Sequence, residues 1–386
     1  MVIGPIDRFL ESGGREMGTA RPRKIDGDTH FNHTVDHADL KSSLTRARFV
    51  EAEDILRKLT TIRSSRQQPP SKTTPPPNPE RDPEFRLQEM DRLDFDTQIL
   101  MTQDALPAPL NPIVNKPLWM RIELAKLYND AAAKLQNRYP GRYIPMATIP
   151  WDDIPASIEE LERAKGLGLK AVQIKGSYYN GGNLDSPELY PFWEAVSSLD
   201  MACLVHNSTQ GCGTNIAEHD TTYPMVGTER YHRLHIGTYL GFGLDYAVAC
   251  AALTLGGVLD QFPNLRFAFY EAGASWMAHA MLGCDRAFYI EPACARTKTL
   301  PSELIKRHCL TAIESLEPLE DYVHAYGSDN FIIGSDFPHP EFKYLPNATS
   351  DVMDKPGLSA EDKSKILGGN LAQFLKVSPA IEAVPA

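Results

Sequence analysis

The 386-residue chain contains no apolar run long enough to span a bilayer, so no membrane-crossing segment is expected. Its opening stretch, MVIGPIDRFLESGGREMG, has neither the basic start nor the long apolar centre of a secretory leader, and a cytoplasmic setting is the resulting expectation. Positive charge is also short: 39 Lys and Arg stand against 50 Asp and Glu, a formal net charge of −11. A nucleic-acid partner would call for a basic face, which this balance argues against. Cysteine is sparse. The six (Cys203, Cys212, Cys250, Cys284, Cys294 and Cys309) form no CxxC pair, and a chain of this length needs no disulfide staples, so reduced thiols are expected.

What the chain does have is a 42% hydrophobic content, ample for a core, and a regular alternation of two kinds of segment. Eight short apolar runs read as strands: KIDGDTH (24–30), TQILMT (97–102), YIPMATIP (143–150), LKAVQIK (169–175), MACLVHN (201–207), RFAFYE (266–271), HCLTAIES (308–315) and FIIGSD (331–336). Stretches with helical spacing separate them, which is the pattern of an α/β protein and specifically of a (β/α)8 TIM-type barrel. A doubly wound open sheet is the alternative. It would spread the first, fifth, sixth and eighth strands, which carry the candidate ligands, over several spacings of ~4.8 Å.

Residues 1–23 carry no core pattern and read as an N-terminal arm, 24–376 as the barrel, and 377–386 as a tail. Two insertions interrupt the barrel. The first, QQPPSKTTPPPNPERDP at 67–83, follows strand 1; its prolines exclude helix and inner strand, and it is expected to lie as an ordered arm over a neighbouring subunit. A homodimer is the expected assembly, with a hetero-oligomer as the alternative. The second is a long loop after strand 5, roughly 208–233, placed to shape substrate entry.

Several strands end on side chains that an apolar strand tolerates only when they are paired or bind metal. Asp28 and His30 sit two residues apart, on one face of strand 1. His206 ends strand 5, Glu271 strand 6 and Asp336 strand 8. Taken singly each has an ordinary explanation: a helix cap, a core histidine, a buried ion-pair partner. Converging from three strand ends of one barrel, Asp28, His30, His206 and Asp336 together form a ligand set suited to a divalent metal, zinc first, with manganese or iron as alternatives. His33, Glu271 and His339 lie close enough in sequence to these ends to supply a second ion.

These motifs resemble the amidohydrolase superfamily, and within it the branch that includes aminocarboxymuconate-semialdehyde decarboxylase. KIDGDTH is similar to that branch's first-strand metal motif, CLVH to its fifth-strand histidine, and TLGGVLDQFPNLRFAFYEAGASW and FIIGSDFPHPE to its sixth and eighth strands. The resemblance implies Asp28, His30, His206 and Asp336 as metal ligands and Arg86 as the holder of the substrate carboxylate, a task that suits a guanidinium fork. Two departures stand out. Asp28 replaces a histidine, and Glu271 occupies the place of the acid–base histidine, where it would move a proton or bind metal.

The leading functional reading is a metal-dependent, non-oxidative decarboxylase of a small carboxylic acid, with Glu271, Asp336 and Arg86 as its catalytic groups. Three others remain open: hydrolysis of an amide or lactone by metal-bound water, hydroxylation by a dinuclear iron or manganese oxygenase, and an inactive barrel that supports a catalytic partner.

Overall fold

The computed structural model describes residues 20–31, 37–64, 81–102, 117–151, 153–178, 182–207, 236–314, 317–339 and 348–381. The 67–80 part of the proline-rich insertion, the loop after strand 5, Cys212 and His33 lie outside the described residues. All eight expected barrel strands are present: β1 Ile25–Asp26, β2 Thr97–Leu100, β3 Tyr143–Pro145, β4 Ala171–Ile174, β5 Ala202–Val205, β6 Phe267–Phe269, β7 Cys309–Ile313 and β8 Phe331–Ile333.

Hydrogen bonding is parallel throughout, in one arc β1-β2-β3 and one arc β4 to β8. A bridge between Ala147 and Val172 joins the arcs. The barrel closes where β8 meets β1: Gly27 N–H donates to the Ile333 carbonyl at 3.0 Å, Asp336 N–H to that of Asp28 at 2.8 Å, and His30 N–H to that of Phe337 at 2.8 Å. The first strand was expected over 24–30 but is regular for only two residues. Beyond Gly27 it continues as isolated bridges, Thr29 to Phe337 on one side and His30 to Met101 on the other, because it must serve both neighbours at the seam. Closure of this kind leaves no sheet edge in the barrel and turns every strand's C-terminal end toward one mouth.

The two-residue alternation of strands divides the core. Ala202 and Leu204 of β5, Ala268 of β6, Leu310 and Ala312 of β7 and Ile332 of β8 fill the barrel interior. Cys203, Val205, Phe267 and Phe269 face outward, against Phe242, Tyr246 and Trp276 of the surrounding helices.

Those helices are α1 His37–Ser43, α2 Arg46–Ser64, α3 Pro83–Arg92, α4 Leu118–Arg138, α5 Ile154–Gly166, α6 Tyr190–Ser198, α7 Ile236–Thr254, α8 Val258–Gln261, α9 Ser275–Ile290, α10 Pro301–His308, α11 Leu319–Tyr326, α12 Ala348–Met353, α13 Ala360–Ser364 and α14 Asn370–Leu375. Between α7 and α8 the run is broken at Gly257, whose φ of 83° is left-handed. Arg21–Pro22 pairs antiparallel with Ala380–Ile381, so the end of the N-terminal arm and the beginning of the tail form one small ribbon. Among the described residues no helix is long and apolar enough to cross a membrane.

Candidate metal centre

Asp28, His30, His206, Glu271 and Asp336 converge at the C-terminal mouth of the barrel. His30 Nε2 lies 2.8 Å from Asp336 Oδ1 and 3.8 Å from Asp28 Oδ1. The His30 ring meets His206 edge to face at 5.1 Å between centroids and stacks on His339 at 4.1 Å. His339 Nδ1 in turn lies 3.0 Å from Asp336 Oδ1, and His206 Nε2 lies 2.9 Å from Glu271 Oε2. Two groups of ligand atoms result, each within 4.8 Å internally: Asp28, His30 and His206; and His30, Glu271, Asp336 and His339. They share His30. His33, expected at a second site, is outside the described residues.

Local backbone geometry aims these side chains. Glu271 has φ 57° and Asp336 φ 54°, in the left-handed region that residues other than glycine seldom adopt. The other described non-glycine residues with positive φ, Asp94, Asp200 and Lys376, directly follow the ends of helices, where a left-handed turn is common. Glu271 and Asp336 follow strands instead, and strain held at such positions is characteristic of functional sites. At Gly334 a side chain has no room, since an added Cβ would stand 2.4 Å from the Cβ of Asp28.

The donor set fits a cation. Asp28 Oδ1 and Asp336 Oδ2 are buried atoms with no hydrogen-bond partner, and His206 Nε2 and Glu271 Oε2, 2.9 Å apart, have only each other. Buried polar atoms without hydrogen bonds are costly, and gathered beside one another they suit a cation. A cavity of about 30 Å3 opens against Asp28, Glu271 and Asp336, large enough for a water or an ion. Burial, then repulsion from Asp336 and Glu271, pushes the Asp28 carboxyl well above its ordinary range. Burial, then His339 and His206, holds His30 well below its own, so the ring is neutral, as a ligand must be. His206 is oriented from behind, because its Nδ1 contacts the Asn207 carbonyl and leaves Nε2 toward the cluster.

Arg86, expected to hold a substrate carboxylate, is fully buried. Its Nη1 donates to Gln98 Oε1 at 2.9 Å and its Nη2 to the backbone carbonyl of His30, while its guanidinium packs on the rings of Phe31 and Phe337. The bond to the His30 carbonyl ties Arg86 to the strand segment that carries Asp28 and His30.

The brace extends further. Gln98 Nε2 donates to Asp26 Oδ2 at 3.1 Å, and Asp26 receives both the backbone N–H of Ser335 at 2.9 Å and its hydroxyl at 2.6 Å. Asp26, its pKa raised to about 6 by burial against the pull of those bonds, thus ties β1 to the segment that presents Asp336. Sequence reasoning missed this network, and it missed Glu314, whose position at the end of β7 on the same cavity was readable from HCLTAIES. It also missed the support beneath β5. Asn207 Oδ1 accepts from Gly176 N–H at 2.9 Å and its Nδ2 donates to Asp245 at 2.8 Å, while Tyr246 Oη accepts from Asn207 N–H at 3.0 Å. Lys175 is buried at the end of β4, and Trp276 packs helix on barrel, its indole N–H donating to Thr311 Oγ1 at 3.1 Å.

Comparison with known proteins agrees with this architecture. The chain is 28% identical over 306 residues to a 2-amino-3-carboxymuconate-6-semialdehyde decarboxylase of Dictyostelium discoideum, covering 77% of each chain. It is 24% identical to a gamma-resorcylate decarboxylase of a Polaromonas species, over 66% of this chain and 77% of that one. Its fold matches that of a dihydroxybenzoic acid decarboxylase from Polaromonas, solved with bound manganese and 2-nitroresorcinol, with a TM-score of 0.65 at 20% identity over 92% of this chain and 97% of the other. The amidohydrolase family model matches residues 25–377, the whole of the barrel, and the chain belongs to that family.

Proposed function

We propose that the protein is a metal-dependent enzyme that removes carbon dioxide from a small unsaturated or aromatic carboxylic acid without oxidation. The observation that carries this reading is the convergence of Asp28, His30, His206 and Asp336, with buried Asp28 Oδ1 and Asp336 Oδ2 left without hydrogen bonds, in a family whose similar members are named decarboxylases. These four residues would hold the ion, zinc first and manganese next, the latter being present in the similar Polaromonas enzyme. Bound there, a divalent cation supplies Lewis acidity toward a substrate oxygen beside the scissile carboxylate.

The chain's own groups handle the proton. Decarboxylation breaks the bond between the ring or chain carbon and its carboxylate, releases carbon dioxide, and requires one proton on the carbon left behind. Glu271 and His339 are the cluster members with side-chain surface open to the mouth, 14% and 24%. Glu271 delivers the proton, and His339, held by Asp336, relays it from solvent. Arg86 acts behind this machinery rather than on the substrate. The 208–233 loop is assigned to substrate entry, and the 67–83 insertion to contact with a second subunit.

A hydroxylase reading is favoured by one observation, the gathering of Glu271 and His339 beside His30 and Asp336, which would accommodate a second ion. The decisive experiment measures metal per chain by mass spectrometry together with carbon dioxide release from 2,6-dihydroxybenzoate, 5-carboxyvanillate and 2-amino-3-carboxymuconate-6-semialdehyde. One ion and stoichiometric carbon dioxide support the decarboxylase. Two redox-active ions with oxygen uptake establish the hydroxylase, and turnover of amides or lactones without carbon dioxide would overturn both.

A further inference from the structure

The strands have a second end, and among the described residues it is not closed off. At the N-terminal face of the barrel lies a cavity of about 700 Å3, floored by Cys309 and Leu310 at the start of β7 and by Phe374 of α14. Five cations line it, Arg266, Lys306, Arg307, Lys365 and Lys376, against the single carboxylate of Asp329. With Asp200 and Glu361, which pair with three of them, counted in, the cations still outnumber the carboxylates, in a chain of net charge −11.

Internal pairing explains only part of the set. Arg266 and Lys376 share Asp200, each at 2.5 Å, and Lys365 reaches Asp329 at 2.9 Å and Glu361 at 3.0 Å. Lys306 and Arg307 are exposed and make no ion pair within 4.0 Å among the described residues. They occupy the last turn of α10, where a cation favours the helix dipole, and that accounts for their presence on the helix. It does not account for Arg266, Lys365 and Lys376, which come from other elements and face the same hollow. Between the two groups, His308 is buried, its Nδ1 2.9 Å from the Leu265 carbonyl, and adds a rigid wall.

We propose that this cavity is a second binding site, separate from the metal centre, for a small polyanion bearing two or more phosphate or carboxylate groups. Its volume falls in the range that encloses small ligands, and its charge selects for multiple negative groups. Lys306 and Arg307 supply the free charge-assisted donors, while the Asp200-bound pair sets the far side of the field. The site does not depend on the decarboxylase reading, since it is built from the opposite ends of the strands.

Isothermal titration calorimetry on the metal-loaded protein tests it, with fructose 1,6-bisphosphate and tricarballylate as phosphate and carboxylate probes of weak chelating power. Binding of either at one per chain is expected, with the preferred probe identifying the anion class. The exposed double substitution Lys306→Gln with Arg307→Gln should raise Kd about tenfold or more, while the rate of the metal-centre reaction is unchanged. The proposal is overturned if neither probe binds beyond the effect of sodium chloride at equal ionic strength, or if the double substitution leaves Kd as it was.

Discussion

Replacing Arg86 by methionine separates a brace from a substrate anchor. Methionine keeps much of the aliphatic length against Phe31 and Phe337 and removes every donor. The change strands Gln98 Oε1 and the His30 carbonyl, both of which accept from the guanidinium in a fully buried setting. Each lost hydrogen bond to a charged group is worth about 1.5–3 kcal/mol, and breaking a buried charged network typically costs about 3–5 kcal/mol. Asp26 also loses a favourable neighbouring charge while its own bonds to Ser335 and Gln98 remain. The expected result is a loss on the order of 3–5 kcal/mol in urea unfolding and a melting temperature lower by roughly 5–10 °C. Since the His30 carbonyl belongs to the strand bearing two proposed ligands, metal affinity measured by chelator competition should fall about 10–100-fold, as for other groups that orient ligands. A carboxylate anchor would behave differently, with KM raised while stability and metal affinity stayed at the parent values. That outcome would refute the brace and restore the substrate role.

Glu271→Gln keeps the shape of the side chain and removes its charge. As the proton donor, Glu271 should lose turnover in this variant while metal content at fixed free metal is unchanged. A fall in metal content would make it a ligand instead, and no change in either would make it structural. Gly334→Ala drives a methyl to 2.4 Å from the Asp28 Cβ, so metal affinity should drop and stability fall by about 1–3 kcal/mol; an unperturbed variant would mean that the seam between β8 and β1 yields freely.

Much of this was legible in the sequence, for a physical reason. Strand ends of a barrel converge whatever the intervening chain does, so KIDGDTH, CLVHN, FAFYE and FIIGSD already located Asp28, His30, His206, Glu271 and Asp336 relative to one another. What the sequence did not disclose depends on which distant polar groups meet in the interior. Asp26 and Ser335 are 309 residues apart, and nothing local to either marks it as the other's partner. Arg86 reads as an ordinary charge on a helix, and only its complete burial between Gln98, Phe31 and Phe337 identifies its role. Glu314 ends β7 in HCLTAIES, but a glutamate just past an apolar strand reads as an ordinary solvated end until the cavity that it lines is seen.

The closure of β8 on β1 also imposes a schedule on the protein's synthesis. Asp28 and Asp336 stand at opposite ends of the barrel's chain, and the hydrogen bond from Asp336 N–H to the Asp28 carbonyl is part of the seam that joins them. At about 5–20 residues per second, the ribosome needs roughly 15–60 s to deliver the later residue after the earlier one. Throughout that interval β1 presents an unpaired edge, and Asp28 and His30 lack the partner that completes their cluster. An ion bound in that interval would sit on an incomplete set of the proposed ligands, because Asp336 joins them only when β8 docks on β1.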